Sequence, residues 1–153
     1  MSIPSKTLRQ VEDTLQTIIQ NLIDGQEGFR KIGDELSDPA LKEYFLAESL
    51  QRAQFRGDLE TILHQEGVHD IKEGGTANGT ALRIWASLKS SLGGSDHTLL
   101  ETAEQAEDAA KAAYHEALET ELPLPVREVL ATQAAHVADS HDYVKAARDS
   151  RKP

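Results

Sequence analysis

No cysteine occurs among the 153 residues, which excludes disulfides, thiolate metal ligands and cysteine nucleophiles. Aromatic residues are scarce, with one Trp, three Tyr and three Phe, and β-branched residues seldom gather in runs. A chain so built, and rich in Ala, Leu, Glu, Gln and Asp, favours helix over sheet almost everywhere. No apolar run approaches membrane-spanning length, and the first ten residues, MSIPSKTLRQ, lack the apolar core of a secretory signal. A soluble cytoplasmic protein is the expectation, and Asn78-Gly79-Thr80 is then an incidental match to a glycosylation acceptor. Positive charge is in short supply. Sixteen Lys and Arg against twenty-six Asp and Glu give a formal charge of -10, which repels phosphate backbones and anionic lipid alike. Neither nucleic acid nor a membrane is an expected partner.

The few prolines and glycines act as punctuation. A first helix is predicted over 7–36, with Thr7 and Gln10 as its start signal and Leu8, Val11, Leu15, Ile18, Ile19, Leu22 and Phe29 on its apolar stripe. In SDPA, Asp38 can cap a second helix over 39–66 while Pro39 takes its first turn, and Gly67 ends it. Residues 67–79 are Gly-rich and without a period. A short amphipathic helix is predicted over 80–92, carrying Leu82, Trp85, Leu88 and Leu92 on one side. Asp96 can cap a third long helix over 96–121, and LPLP separates it from a fourth over 125–149. The length suits a single domain. Four long helices, each with one apolar stripe to hide, predict an all-α four-helix bundle. Tight turns make the first and second helices, and the third and fourth, antiparallel neighbours, while the long middle connection can travel the height of the bundle.

Glu48 breaks the pattern of the second helix, because it falls on the stripe formed by Leu41, Phe55, Leu59 and Ile62. A carboxylate is seldom buried unless it is paired or bound to a cation. At about 1.5 Å per residue, Glu48, Glu107, His141 and the pair Gln26 and Glu27 come to one height. Glu107 lies inward among Ala103, Ala110, Tyr114 and Ala117, Gln133 and His141 lie close to the core, and His136 lies towards an edge. Gln26 is nearer the stripe than Glu27. Two readings follow. In one, Glu48 and Glu107 supply oxygens to a metal ion, with His141 or His136 as nitrogen donor and Glu27 as a third carboxylate. In the other, Glu48 pairs with Arg52 one turn along or with Gln26, Gln51 and Gln133 across the bundle, and the layer fixes the register of the helices. Glu107 has its own bland alternative, a flank pair with Lys111. Other chemistries lack their context: no Gly loop follows a strand, and SHD at 140–142 lies on one helix and makes no triad.

The segments DGQEGFR, AESLQRAQF, the helix around Trp85 and LETAEQAEDAAKAAYHEAL resemble a family of uncharacterised bacterial ferritin-like four-helix bundles, known as a domain of unknown function, and the likeness runs from about Thr7 to Asp149. It implies kinship with the ferritin and rubrerythrin superfamily, whose bundles hold two irons with carboxylates and histidines. Such a site takes one Glu from each of two helices and Glu-x-x-His from the other two. This chain departs from that pattern, reading Glu48-Ser-Leu-Gln51 in the second helix and Gln133-Ala-Ala-His136 in the fourth. The resemblance therefore implies a bundle that binds iron or another divalent metal, with a role in oxidative stress. The rival is a metal-free structural or interaction module that pairs with itself as a dimer, or with another protein.

Overall fold

The computed structural model describes residues 5–69, 71 and 94–151. All four elements in it are helices: α1 (Ser5–Glu35), α2 (Pro39–Gln65), α3 (Asp96–Glu119) and α4 (Leu124–Asp149). They pack as a four-helix bundle in which α1 lies against α2 and α3, and α3 against α4. The amphipathic helix expected over 80–92, with Trp85, falls outside the described residues.

The boundaries follow local chemistry. Asp38 caps α2, its carboxylate accepting from the amides of Ala40 at 2.9 Å and Leu41 at 3.2 Å, with Pro39 in the first turn. At the far end Gly67 takes a positive φ of 87°, the left-handed conformation that stops a helix at little cost for glycine. Two expectations need correction. The cap of α3 is Ser95, whose hydroxyl accepts from the amide of Thr98. Asp96 instead turns its carboxylate to the corner between α1 and α2, accepting from the amides of Ser37 at 2.8 Å and Asp38 at 3.1 Å. Also, α1 begins at Ser5 and runs unbroken through Gly25, Gly28 and Gly33, because packing on both sides holds what propensity alone would weaken. Gly33 lets the two helices approach closely: a Cβ there would lie 3.0 Å from the Leu46 side chain and 3.3 Å from that of Phe45.

The core has two apolar compartments. One gathers Val11 to Leu22 of α1, Phe55, Leu59 and Leu63 of α2, Ala110, Tyr114 and Ala117 of α3, and Val126, Leu130 and Val137 of α4. The other gathers Phe29, Ile32 and Leu36, then Leu41 and Phe45, then Leu99, Leu100 and Ala103, and lastly Val144. The start of α1 thus shares an end with the finish of α2, the finish of α3 and the start of α4. Helices α2 and α3 run in the same direction, so the chain between Gln65 and Asp96 joins opposite ends of the bundle, as its length allows. Between the two compartments lies a polar layer. Among the described residues no helix is long and apolar enough to cross a membrane.

Candidate functional site

The polar layer is centred on Arg52, which is 2% exposed. Its guanidinium lies between two buried carboxylates. Nη2 is 3.3 Å from Glu48 Oε2 and 2.9 Å from Glu107 Oε1, and Nε donates to Glu48 Oε2 at 3.3 Å. The same group sits over the ring of Phe29, 4.7 Å from its centroid, where the ring face favours a cation. Gly25 passes beside it: a Cβ there would lie 3.9 Å from Arg52 Nη1. At the guanidinium, α1 therefore contributes the Phe29 ring and the close passage of Gly25.

Further groups close the layer. His136 Nε2 lies 2.7 Å from Glu48 Oε1, with the imidazole a third exposed at 36% and its ring edge-on to Phe55. Tyr114 donates to Gln133 Oε1 at 2.7 Å, and Gln133 Nε2 donates to the carbonyl of Phe55. Ser140 lies beside both Glu107 and Tyr44. Burial works against a charged Arg52, but Glu107 and Glu48 outweigh it and hold the guanidinium protonated. One guanidinium serves two carboxylates. Burial accordingly pushes the Glu107 carboxyl above its usual range despite Arg52, and pushes the Tyr44 phenol up to about 12.

A second cluster lies on the outer face where α3 meets α4. Glu104, Asp108 and His141 each offer one ligand atom, and those atoms lie within 4.8 Å of one another. Glu104 and Asp108 are one turn apart on α3, which places them on one face. His141 is nine-tenths buried, at 8% exposure. Its Nε2 is 2.8 Å from Asp108 Oδ1 and its Nδ1 is 3.1 Å from Asp142 Oδ1. A neutral imidazole has one N–H and an imidazolium two, so the ring can donate to one of these carboxylates or to both. With Nδ1 donating to Asp142, the Nε2 lone pair beside Asp108 can take a cation. A carboxylate on Nδ1 with the cation on Nε2 is a common way to orient a metal-binding histidine. Glu104 is also paired with Arg148.

The structure brings Glu48, Glu107 and His136 together around Arg52. It sets His141 apart from them, on the Asp108 side, and leaves Glu27 outside, exposed and paired with Lys31 at 2.9 Å. Gln26 contributes its carbonyl, which accepts from the Ser49 hydroxyl at 2.7 Å. The Lys111 partner considered for Glu107 is not used. Any metal held by Glu48 and Glu107 would have to displace a guanidinium that already pairs with both, and Gln133 is committed to Tyr114 and Phe55, so the interior donors do not fit a pair of irons. The outer cluster fits one divalent cation better, with two oxygens and a nitrogen. Neither Glu104 nor Asp108 was among the residues the sequence picked out. The signal was available: Glu104 is eight residues beyond Asp96 and His141 eight before Asp149, so antiparallel helices sharing an end bring them to one height.

Bundle and layer together define a helical protein with an internal ion-pair layer and an acid–histidine group that could hold a metal. Residues 10–120 match the family described as Domain of unknown function (DUF2383), and the chain belongs to that family. No curated protein matches it at a significant level.

Proposed function

We propose that this protein is a metal-handling bundle of ferritin-like type that binds one divalent cation, iron among the candidates, on the α3–α4 face through Glu104, Asp108 and His141. The observation that carries the reading is the nearly buried imidazole held between two carboxylates. The parallel run of α2 and α3 with one long connection supports the ferritin-like comparison. Three protein ligands leave coordination positions open, and a ferrous ion bound there would supply reactivity towards oxygen or peroxide, the chemistry of an oxidative-stress role. The chain's own part is to present two oxygens and one nitrogen and to fix the ring through Asp142. The interior layer then has a separate task, to lock the helices in register around Arg52.

The test is elemental analysis after mild purification, followed by anaerobic titration with ferrous, manganous and zinc ions. One equivalent should bind to the wild type and to the triple variant Glu48→Leu, Arg52→Met and Glu107→Leu, which leaves no buried ion unpaired, and binding should be lost in His141→Ala and Asp108→Asn. If the interior triple variant loses the metal while the outer variants keep it, the cation belongs between Glu48 and Glu107. The closed Arg52 layer also favours a second reading, a metal-free interaction module that forms dimers or binds another protein. Uptake of no metal, together with a stable dimer in sedimentation, would select it.

A further inference from the structure

We infer that Arg148 is the built-in competitor of the outer cation site, a latch that releases Glu104 and stays on Asp149 when a divalent ion arrives; the inference rests on the metal reading of Glu104, Asp108 and His141 given above. Arg148 splits its donors between two carboxylates. Nη1 pairs with Glu104, while Nε and Nη2 donate to Asp149 Oδ1 at 3.1 and 2.7 Å. The guanidinium can therefore release Glu104 without losing its other partner. It differs in this from Arg52, whose carboxylate partners Glu48 and Glu107 both lie inside the core.

Exposure allows the exchange. The Arg148 side chain is about a quarter exposed, so the freed Nη1 can turn to water. Its position in the last turn of α4 places the charge where the helix dipole favours a cation whichever carboxylate it serves. While the latch is closed, Glu104 is neutralised and Asp108 is left to His141. When the ion takes Glu104, two cations would share one carboxylate, and their repulsion is relieved when Nη1 lets go and Asp149 alone holds the guanidinium. The latch sets affinity by competition, since apparent affinity scales with the fraction of molecules in which Glu104 is free.

Zinc, which is diamagnetic and redox-inert, serves as the probe on the full chain. Affinity is measured by competition with a chromophoric chelator, and the Arg148 Nε–H resonance is followed by NMR in the same titration. Arg148→Gln should bind zinc about tenfold more tightly than the wild type, as expected from removing one neighbouring like charge. Asp149→Asn should bind severalfold more weakly, because Arg148 is then committed to Glu104. Lys145→Gln, which removes an exposed charge from the same helix, should change affinity less than twofold, and the Arg148 resonance should move on saturation. Equal or weaker binding by Arg148→Gln, with uptake still abolished in His141→Ala, would keep the cation site and overturn the latch. No zinc uptake by any form would overturn both. Thermal melts of each variant check that the fold is intact.

Discussion

The two acid–arginine clusters of this bundle use similar residues to opposite ends. In the interior, Arg52 is sealed between Glu48 and Glu107 with Phe29 beneath it. On the outer face, Arg148 touches Glu104 but keeps a second carboxylate, Asp149, in reach. The difference lies in desolvation. A charge taken wholly out of water must keep its partners, since the loss of one leaves an uncompensated buried ion. A charge at the surface can trade partners with little change in free energy. The first arrangement therefore suits architecture, and the second suits exchange.

The comparison breaks most visibly at the arginines. Arg52→Met should cost about 3–5 kcal/mol in urea unfolding, the range for removing one member of a buried ion pair, whereas Arg148→Gln should stay within about 0.5 kcal/mol. Replacing Glu48, Arg52 and Glu107 together by Leu, Met and Leu should recover most of that loss, because no ion is then left unpaired. A triple variant as unstable as Arg52→Met would mean that the layer's shape matters more than its charge. Next in size is Tyr114→Phe, which leaves Gln133 Oε1 without its donor and should cost about 1–2 kcal/mol by the same measurement.

The pH dependence sharpens the contrast between inside and outside. Burial raises the Glu107 carboxyl above its ordinary 4.5, so between the two values the folded state binds more protons than the unfolded one, and stability falls as pH rises. Relative to Glu107→Gln, the wild type should lose stability on going upward from pH 4.5. Asp38 behaves in the opposite sense. Its hydrogen bond from Arg151, aided by the amides of Leu41 and Ala40, holds it below its ordinary 3.8. Its contribution is fully present above pH 3.8 and is lost as pH falls through the depressed value. Acid titrations of the wild type and Asp38→Asn, followed by circular dichroism, should converge in strong acid and separate above it. The smallest effect concerns Asp24, whose carboxyl burial raises above the ordinary value, with Glu27 adding to the shift. Removing that charge in Asp24→Asn should leave stability at pH 7 unchanged or slightly higher, and a clear loss would reveal a cation that depends on it.

Much of this was legible in the sequence, for physical reasons. Stripes at helical spacing and the Asp38-Pro39 and Gly67 signals fixed three of the boundaries to within about two residues. Counting height from shared ends put Glu48 and Glu107 at one level inside. Arg52 was foreseen as a partner for Glu48, through i, i+4 spacing. Its reach to Glu107 was not, because periodicity gives a direction for each Cβ but not the course of a long side chain. The outer cluster was missed for a related reason. Glu104 and Asp108 lie on a charged face that reads as solvated, and only their neighbour across the helix gap, His141, gives them meaning. Glu27 shows the converse, a carboxylate at the right height but on the wrong side of its helix. Asp96 was expected to cap its own helix, and nothing local reveals that a corner elsewhere in the chain competes for its oxygens.

That corner has a consequence for assembly. The amides of Ser37 and Asp38 are held by a carboxylate 59 and 58 residues downstream, and Arg151, still further along, grips Asp38. Neither hairpin is self-sufficient at this end, so the bend between the first two rods is finished only by pieces synthesised after it. Two polypeptides made by severing the backbone between Gly67 and Gly94 should each be poorly ordered alone and should restore the bundle when mixed, with the acid at 96 as the clasp between them.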